Sequence, residues 1–295
     1  MILISFTIII PSHNCPELLR RCLDSIPDIR DIQVIVVDDN SDPNIVDFNK
    51  YPGLERENTE VIFSKEGKGA GYARNLGLAQ ARGKWVLFAD SDDFYNHDFI
   101  NIIYHHYNDE EDIVFFDVTS VISDNMEPSD RHLSRSVPLN NYKGKKLNQF
   151  CRYLYTEPWG KMFKGDFLKR IDARFDESFV ANDYYFSIYT GFNASKISVS
   201  KEKLYCVTER KGSLSNSFSG DLKRLEARLK VYNKVQKFYE NNNIRLYPLS
   251  EIISHIYIRK PDYRKFLITF CKDNNIKLHK IIVGYIKGQI IRYLK

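Results

Sequence analysis

Three aspartates, Asp90, Asp92 and Asp93, stand together at the end of a short apolar run in the stretch GKWVLFADSDDFY, Gly83 to Tyr95. Carboxylates gathered this closely repel one another at low dielectric unless a cation sits among them. A hard divalent cation takes such oxygen ligands, so one reading is metal-assisted chemistry on a phosphate-bearing ligand. A solvated turn with Asp93 capping the next helix is the other. The run itself, Trp85 to Ala89, is too short for a helix and predicts a buried strand. In an open α/β sheet the carboxyl ends of strands are where ligands bind.

The elements that must position these groups follow from the chain before them. Phe6 to Ile10 is a β-branched apolar run ended by Pro11, which predicts a buried parallel strand. Asn14 and Pro16 open a helix whose apolar face is Leu18, Leu19, Cys22, Leu23 and Ile26. Ile32 to Val37 is a second strand, running into the acidic loop Asp38 to Asp42, and Val61 to Ser64 is a third. This alternation predicts a doubly wound α/β fold with a mainly parallel central sheet. Gly67-Lys68-Gly69-Ala70-Gly71 is not a dinucleotide fingerprint, because its third glycine comes too early and it follows the third strand. The helix after it would offer backbone N–H groups to a phosphate, with Arg74 as a bidentate donor. Pairing of Arg74 with Asp38 and Asp39 competes with that reading.

The order PSHN, then VVDDNSD, then GKGAGYARNLGLAQARGKWVLFADSDD resembles the family-2 glycosyltransferases of the GT-A fold over roughly the first hundred residues. The resemblance implies a nucleotide diphosphate sugar as donor, a UDP-sugar first of all, with Asp39 contacting the base and Pro11 and His13 flanking it. It implies that Asp92 is the principal ligand of Mn²⁺ or Mg²⁺, with Asp90 beside the ribose or the metal. A tyrosine is commoner where His13 stands, which leaves a loop histidine without base contact as the other reading. The resemblance resumes at Pro158-Trp159-Gly160-Lys161, similar to the acceptor-side segment, and at Asn182-Asp183, where the family's acidic pair has Glu first. Asp183 is then left as the general base that an inverting transfer needs opposite the leaving group. Its alternative role is a cap for a helix over 184–190. CVTERKGSLSNS resembles the segment that closes over the donor pyrophosphate, with Arg210 and Ser213 as candidates, and a basic loop is the rival reading.

Elsewhere the sequence predicts a helix over Ile100 to Tyr107, a strand over Ile113 to Ile122, a polar mobile loop over 123–141 and a helix near Leu147 to Tyr155. Composition shifts to helix formers from Asp221. The expected organisation is a catalytic domain over 1–220, with a nucleotide-sugar half (1–120) and an acceptor half (121–220), and a helical extension over 221–295. Lys277 to Lys295 has no acidic residue and forms a basic amphipathic pattern, which fits either peripheral contact with an anionic membrane or packing on the domain. The net charge of +5 suits a phosphate ligand or an anionic surface, and no nucleic-acid partner is expected. Five cysteines without metal spacing point to free thiols and the cytoplasm, and MILISFTIII lacks the basic leader and cleavage site of a signal peptide. The resemblance implies a metal-dependent inverting glycosyltransferase acting on a saccharide hydroxyl and, with the basic tail, a lipid-linked acceptor in bacterial surface-polysaccharide synthesis (lipopolysaccharide, capsule or exopolysaccharide), either free in the cytoplasm or peripheral on the inner face of the cytoplasmic membrane. The alternatives are a non-catalytic nucleotide-sugar-binding module, suggested by Asn182, and a sugar nucleotidyltransferase, disfavoured by the lack of an early glycine-rich loop.

Overall fold

A computed structural model describes residues 3–210 and 221–283. The chain divides into two compact units, Met1–Ser217 and Phe218–Lys295. In the first, the strands are β1 (Phe6–Ser12), β2 (Ile32–Asp39), β3 (Thr59–Ser64), β4 (Trp85–Phe88), β5 (Phe94–Tyr95), β6 (Ile113–Ile122), β7 (Lys161–Lys164) and β8 (Ile197–Glu209). The helices between them are α1 (Pro16–Asp24), α2 (Ala70–Gln80), α3 (Phe99–His105), α4 (Leu133–Asn141), α5 (Gly144–Tyr153), α6 (Gly165–Arg170) and α7 (Tyr184–Asn193). All eight strands join one sheet in the order β3-β2-β1-β4-β7-β6-β8-β5.

The sheet is the mainly parallel, doubly wound one that the strand and helix alternation predicts, with an antiparallel seam at β7 and an antiparallel edge strand, β5, on β8. β1 lies between β2 and β4 and pairs with both in parallel, while β7 runs antiparallel to β4 and to β6. β6 and β8 are again parallel. Strands buried on both faces read as continuous apolar runs; β1 and β2 are buried at every position. β1 passes through Pro11 and ends at Ser12, because β4 pairs with it only as far as Ile9 and leaves the far end an edge, where a missing N–H is tolerated.

Residues 123–141, expected to be a mobile loop, instead contain α4. Its sequence hides the helix, since Pro138 lies inside it and Leu139 is its one buried residue. Polar bonds to β6 hold it: Ser120 Oγ accepts from the His132 N–H at 3.1 Å, and Asn140 Nδ2 donates to Asp117 Oδ2 at 2.9 Å. β7 and β8 are also not anticipated, the first because four residues give no period and the second because its first half is polar and half-exposed.

The second unit contains α8 (Leu222–Asn241), α9 (Pro248–Arg259) and α10 (Arg264–Asp273). They share a core of their own, in which Leu225, Leu229, Ile253, Ile256, Leu267 and Phe270 are buried. The basic amphipathic segment from Lys277 lies outside the described residues from position 284 onward. Among the described residues no helix is long and apolar enough to cross a membrane.

The glycine-rich loop has a packing reason. Gly69 sits at φ +92° just before α2, a conformation that L side chains rarely adopt. At Gly71 a Cβ would meet the Asp176 carbonyl oxygen at 2.0 Å and the Asn182 Cβ at 2.8 Å, so the first turn of α2 lies directly against the segment that carries Asn182 and Asp183. Gly71→Ala is expected to lower stability by about 1–3 kcal/mol through this overpacking. A drop in the urea midpoint at unchanged slope checks it.

Candidate active site

The two aspartates at the end of β2 have separate tasks. Asp38 is 1 % exposed and accepts from the Ser41 N–H (3.0 Å), Ser41 Oγ (2.5 Å) and the Tyr51 hydroxyl (2.9 Å). Its carboxylate therefore shapes the loop. Asp39 accepts from the Gly69 N–H at 2.5 Å and the Lys68 N–H at 3.3 Å, which docks the glycine loop on the end of β2. The backbone donors before α2 thus already meet a carboxylate. His13 is exposed, and its Nδ1 lies 3.0 Å from the Asp39 carbonyl oxygen; Pro11 is buried.

At the end of β4, carboxylate oxygens of Asp90, Asp92 and Asp93 all lie within 4.8 Å of one another. Several elements hold this loop. The Asp90 N–H donates to the Tyr205 hydroxyl at 2.8 Å, and Tyr205 stacks on Trp159 with ring centroids 5.7 Å apart. The Asp92 carbonyl accepts from Arg21 at 2.6 Å and from Thr208 Oγ1 at 2.8 Å. Asp93 is 3 % exposed and accepts from the Thr208 N–H at 2.7 Å; it caps no helix, and its carboxyl is pushed well up by burial and by Asp92 and Asp90. The Asp92 carboxyl is also raised, first by burial and then by Asp90, while Arg210 pulls it back through a 2.9 Å contact with Oδ2. Oxygen-only donors at this spacing fit a hard divalent cation, and such an ion would offset the negative charge that, after burial, raises the carboxyls of Asp92 and Asp93.

Arg74 ties this loop to the Asn182-Asp183 segment. It is 5 % exposed, donates to Asp90 Oδ1 at 2.5 Å and to Asn182 Oδ1 at 2.8 Å, and its guanidinium lies 5.3 Å from the centroid of the Phe175 ring. Its partners are therefore neither Asp38 nor Asp39. Beneath it, Phe175 stacks on Phe186 at 3.8 Å, and both meet Phe88 edge-on, at 5.1 and 5.5 Å. Phe88 ends β4 and Phe186 lies in the first turn of α7, so this aromatic packing brings the start of α7 to the D-x-D loop, Asp90-Ser91-Asp92.

Asp183 precedes α7 and makes no side-chain capping bond, so the cap alternative is not realised. Its carboxyl is raised to about 6, mainly by burial, with Glu157 and Asp90 adding to the shift and Arg74 opposing it. The neutral Asn182 beside it contributes no charge of its own.

The family model for glycosyl transferase family 2 matches residues 7–171. The chain belongs to glycosyl transferase family 2. It is 26 % identical over 231 residues to the glycosyltransferase GlyA of Streptococcus pneumoniae serotype 4, covering 71 % of this chain and 31 % of that protein. It is 28 % identical over 232 residues to the poly(ribitol-phosphate) beta-N-acetylglucosaminyltransferase TarS of Staphylococcus aureus, covering 73 % of this chain and 37 % of TarS. The chain thus spans about a third of the length of these two relatives. The crystal structure of S. aureus TarS 1-349 in complex with UDP-GlcNAc is similar in fold, with a TM-score of 0.60 and 21 % identity over 96 % of this chain and 92 % of that one.

In this member of glycosyl transferase family 2, four supporting residues escape sequence reasoning. Arg21 and Thr208 act on the backbone of Asp92, and nothing local marks a helical arginine or a strand threonine for that task. Arg135 of α4 grips both oxygens of Glu157, with a 2.5 Å bond from Nε to Oε2 and a second bond to Oε1. The charge of Glu157 reaches Asp183, and the only sequence hint was its place beside Pro158-Trp159. Lys161 of the acceptor-side motif is 2 % exposed and donates to the Tyr155 carbonyl at 2.7 Å, with its ammonium over the Phe115 and Tyr155 rings; burial lowers it to about 7. Ser213 lies outside the described residues.

The raised Asp183 carboxyl has a consequence for stability. A carboxyl whose folded value lies above its unfolded value favours the fold when protonated, and that contribution is lost as pH rises through about 6. Asp183→Asn cannot ionise. It should therefore be more stable than the native chain by about 1–3 kcal/mol at pH 7.5, with the gain vanishing near pH 4. Urea denaturation across that range measures the difference.

Proposed function

We propose that this chain is a metal-dependent, inverting glycosyltransferase that moves a sugar from a nucleotide diphosphate donor, a UDP-sugar, to an acceptor hydroxyl in bacterial surface-polysaccharide synthesis. The observation that carries the reading is the convergence of Asp90 and the Asn182-Asp183 segment on the one buried guanidinium of Arg74. A donor-side carboxylate and the segment of the candidate base then meet on one guanidinium. Membership of glycosyl transferase family 2 and the UDP-GlcNAc complex of the similarly folded TarS support the donor class.

In this reading Pro11, His13 and Asp39 face the base, with Asp39 held in place by the Gly69 and Lys68 N–H groups. Asp92 and Asp90 would hold Mn²⁺ or Mg²⁺. Such a cation, when bound, supplies Lewis-acid neutralisation of the charge that grows on the departing diphosphate. Arg210, resting on Asp92, is the side chain that turns to the diphosphate once the carboxylate has another counter-charge. Arg74 serves the donor by fixing Asp90.

Asp183 takes the proton of the acceptor hydroxyl while that oxygen bonds to the anomeric carbon and the carbon–oxygen bond to the diphosphate breaks on the opposite face. A base near 6 is ionised at neutral pH and still basic enough to accept a proton. The acceptor approaches over the half of the domain that holds Trp159 and Glu157. The relatives' work on poly(ribitol-phosphate) favours a polymer or lipid-linked acceptor, with the chain peripheral on an anionic membrane.

Asp183→Asn should lower kcat by about 10²- to 10⁴-fold with donor affinity unchanged, and native activity should fall on the acid side of pH 6. Near-native turnover of the variant at saturating acceptor would move the base elsewhere. Asp92→Asn should keep the fold and lose most of the divalent-dependent affinity for UDP in calorimetry; equal affinity with Mn²⁺ present would remove the metal assignment. Released nucleoside diphosphate is the expected product. Pyrophosphate instead would point to a nucleotidyltransferase, and no product to a binding module.

A further inference from the structure

Away from the donor loops, the end of α3 meets β8 through side chains of metal-binding chemistry that the transfer reaction does not use. The pairing of β6 with β8 runs Phe116 to Ser200 and then jumps to Asp117 with Lys203, so Lys201 and Glu202 fall outside the ladder. Bulges of this kind re-aim a side chain. Here Glu202 is turned out and locked, because its N–H donates to Ser200 Oγ at 3.2 Å and Ser200 Oγ donates back to its Oε2 at 2.7 Å.

Two adjacent imidazoles face it. His106 Nε2 lies 2.9 Å from Glu202 Oε2, and His105 Nδ1 lies 3.5 Å from Glu202 Oε1. On the far side His106 Nδ1 lies 2.6 Å from Asp109 Oδ2, and the Asp109 N–H is itself bonded to the His106 carbonyl at 3.1 Å. A carboxylate behind one ring nitrogen fixes the proton there and aims the lone pair of the other outward, the arrangement that metal-binding histidines use. His106 Nε2 and Glu202 Oε2 therefore already stand 2.9 Å apart, side by side on the face where His105 Nδ1 also lies.

We propose that His105, His106 and Glu202, backed by Asp109, form a zinc site that clips the end of α3 to β8. The three ligand atoms already lie within 4.8 Å of one another. Tetrahedral zinc, with bonds of about 2.0–2.2 Å, sets its ligands roughly 3.4 Å apart. His105 makes the remaining adjustment, since its side chain is 73 % exposed and can turn. Two imidazoles and one carboxylate suit zinc better than the hard cations favoured by the all-oxygen cluster of Asp90, Asp92 and Asp93. A water completes the shell, and any proton on His106 Nε2 leaves to solvent as the metal arrives. The clipped strand is the one that carries Thr208 to the D-x-D loop.

The test is a titration of the full chain with zinc chloride in excess Mg²⁺, followed by the imidazole resonances and by Tm. The first equivalent should shift His105 and His106 before His13, His97, His132, His255 and His279, and should raise Tm. His105→Ala and Glu202→Gln should each weaken zinc binding at least tenfold, and Asp109→Asn by about 10- to 100-fold. Because His105 is exposed, its loss leaves the metal-free Tm unchanged and reads the site alone. First shifts at other histidines, or native zinc affinity in a His105→Ala/His106→Ala double variant, would overturn the proposal and leave His106 as a hydrogen-bonded link between two carboxylates.

Discussion

The site depends on keeping one guanidinium charged in the interior. Arg74 is almost fully buried, and a buried charge persists only where well-placed acceptors offset its desolvation. Asp90 supplies the opposite charge and Asn182 a neutral oxygen, while the face of Phe175 covers the guanidinium. Each partner belongs to a different stretch of chain. Satisfying Arg74 therefore fixes the distance between the end of β4 and the start of α7, and with it the separation of the D-x-D loop from Asp183. An amide at position 182 keeps the acceptor that Arg74 needs and adds no negative charge beside Asp183, whose carboxyl is already raised by burial, Glu157 and Asp90.

The other acidic groups divide along similar lines. Asp38 is closed off by three hydrogen bonds and Asp93 by burial, with one bond from the Thr208 N–H, and both hold backbone in place. Asp39 joins two loops. Asp90 and Asp92 each engage one arginine, Arg74 and Arg210, through one carboxylate oxygen, which leaves each a second oxygen for ligand chemistry. Neighbouring acids in one run thus differ in environment, and burial separates Asp93 from the half-buried Asp90 and Asp92.

The parts of this organisation that were legible in sequence are those with local causes. The apolar runs Phe6 to Ile10, Ile32 to Val37 and Trp85 to Phe88 became strands because burial on both faces leaves a continuous signal, and Ile113 to Ile122 became one through its alternation. The carboxylate cluster was visible for the same reason. What sequence could not convey was partnership across the chain: Arg74 with Asn182 rather than Asp38, Arg21 with the Asp92 carbonyl, and Arg135 with Glu157. The helix α4 was hidden because polar bonds to β6, and not an apolar stripe, hold it in place.

The order of strands also has a consequence in time. β1, β2 and β3 are neighbours in both sequence and sheet, and β4 joins them before the antiparallel seam is crossed. β6 is different: its ten residues, largely apolar at the start, find their partners only when β7 and then β8 have been made, with Ile113 waiting for Ile197. Pairings this distant in sequence close slowly, and an unpaired strand edge is prone to self-association while it waits. During synthesis β1 to β4 can thus pair early, whereas β6 stays exposed, and the loop of Asp90 to Asp93 lacks its Tyr205 and Thr208 supports, until β8 has emerged.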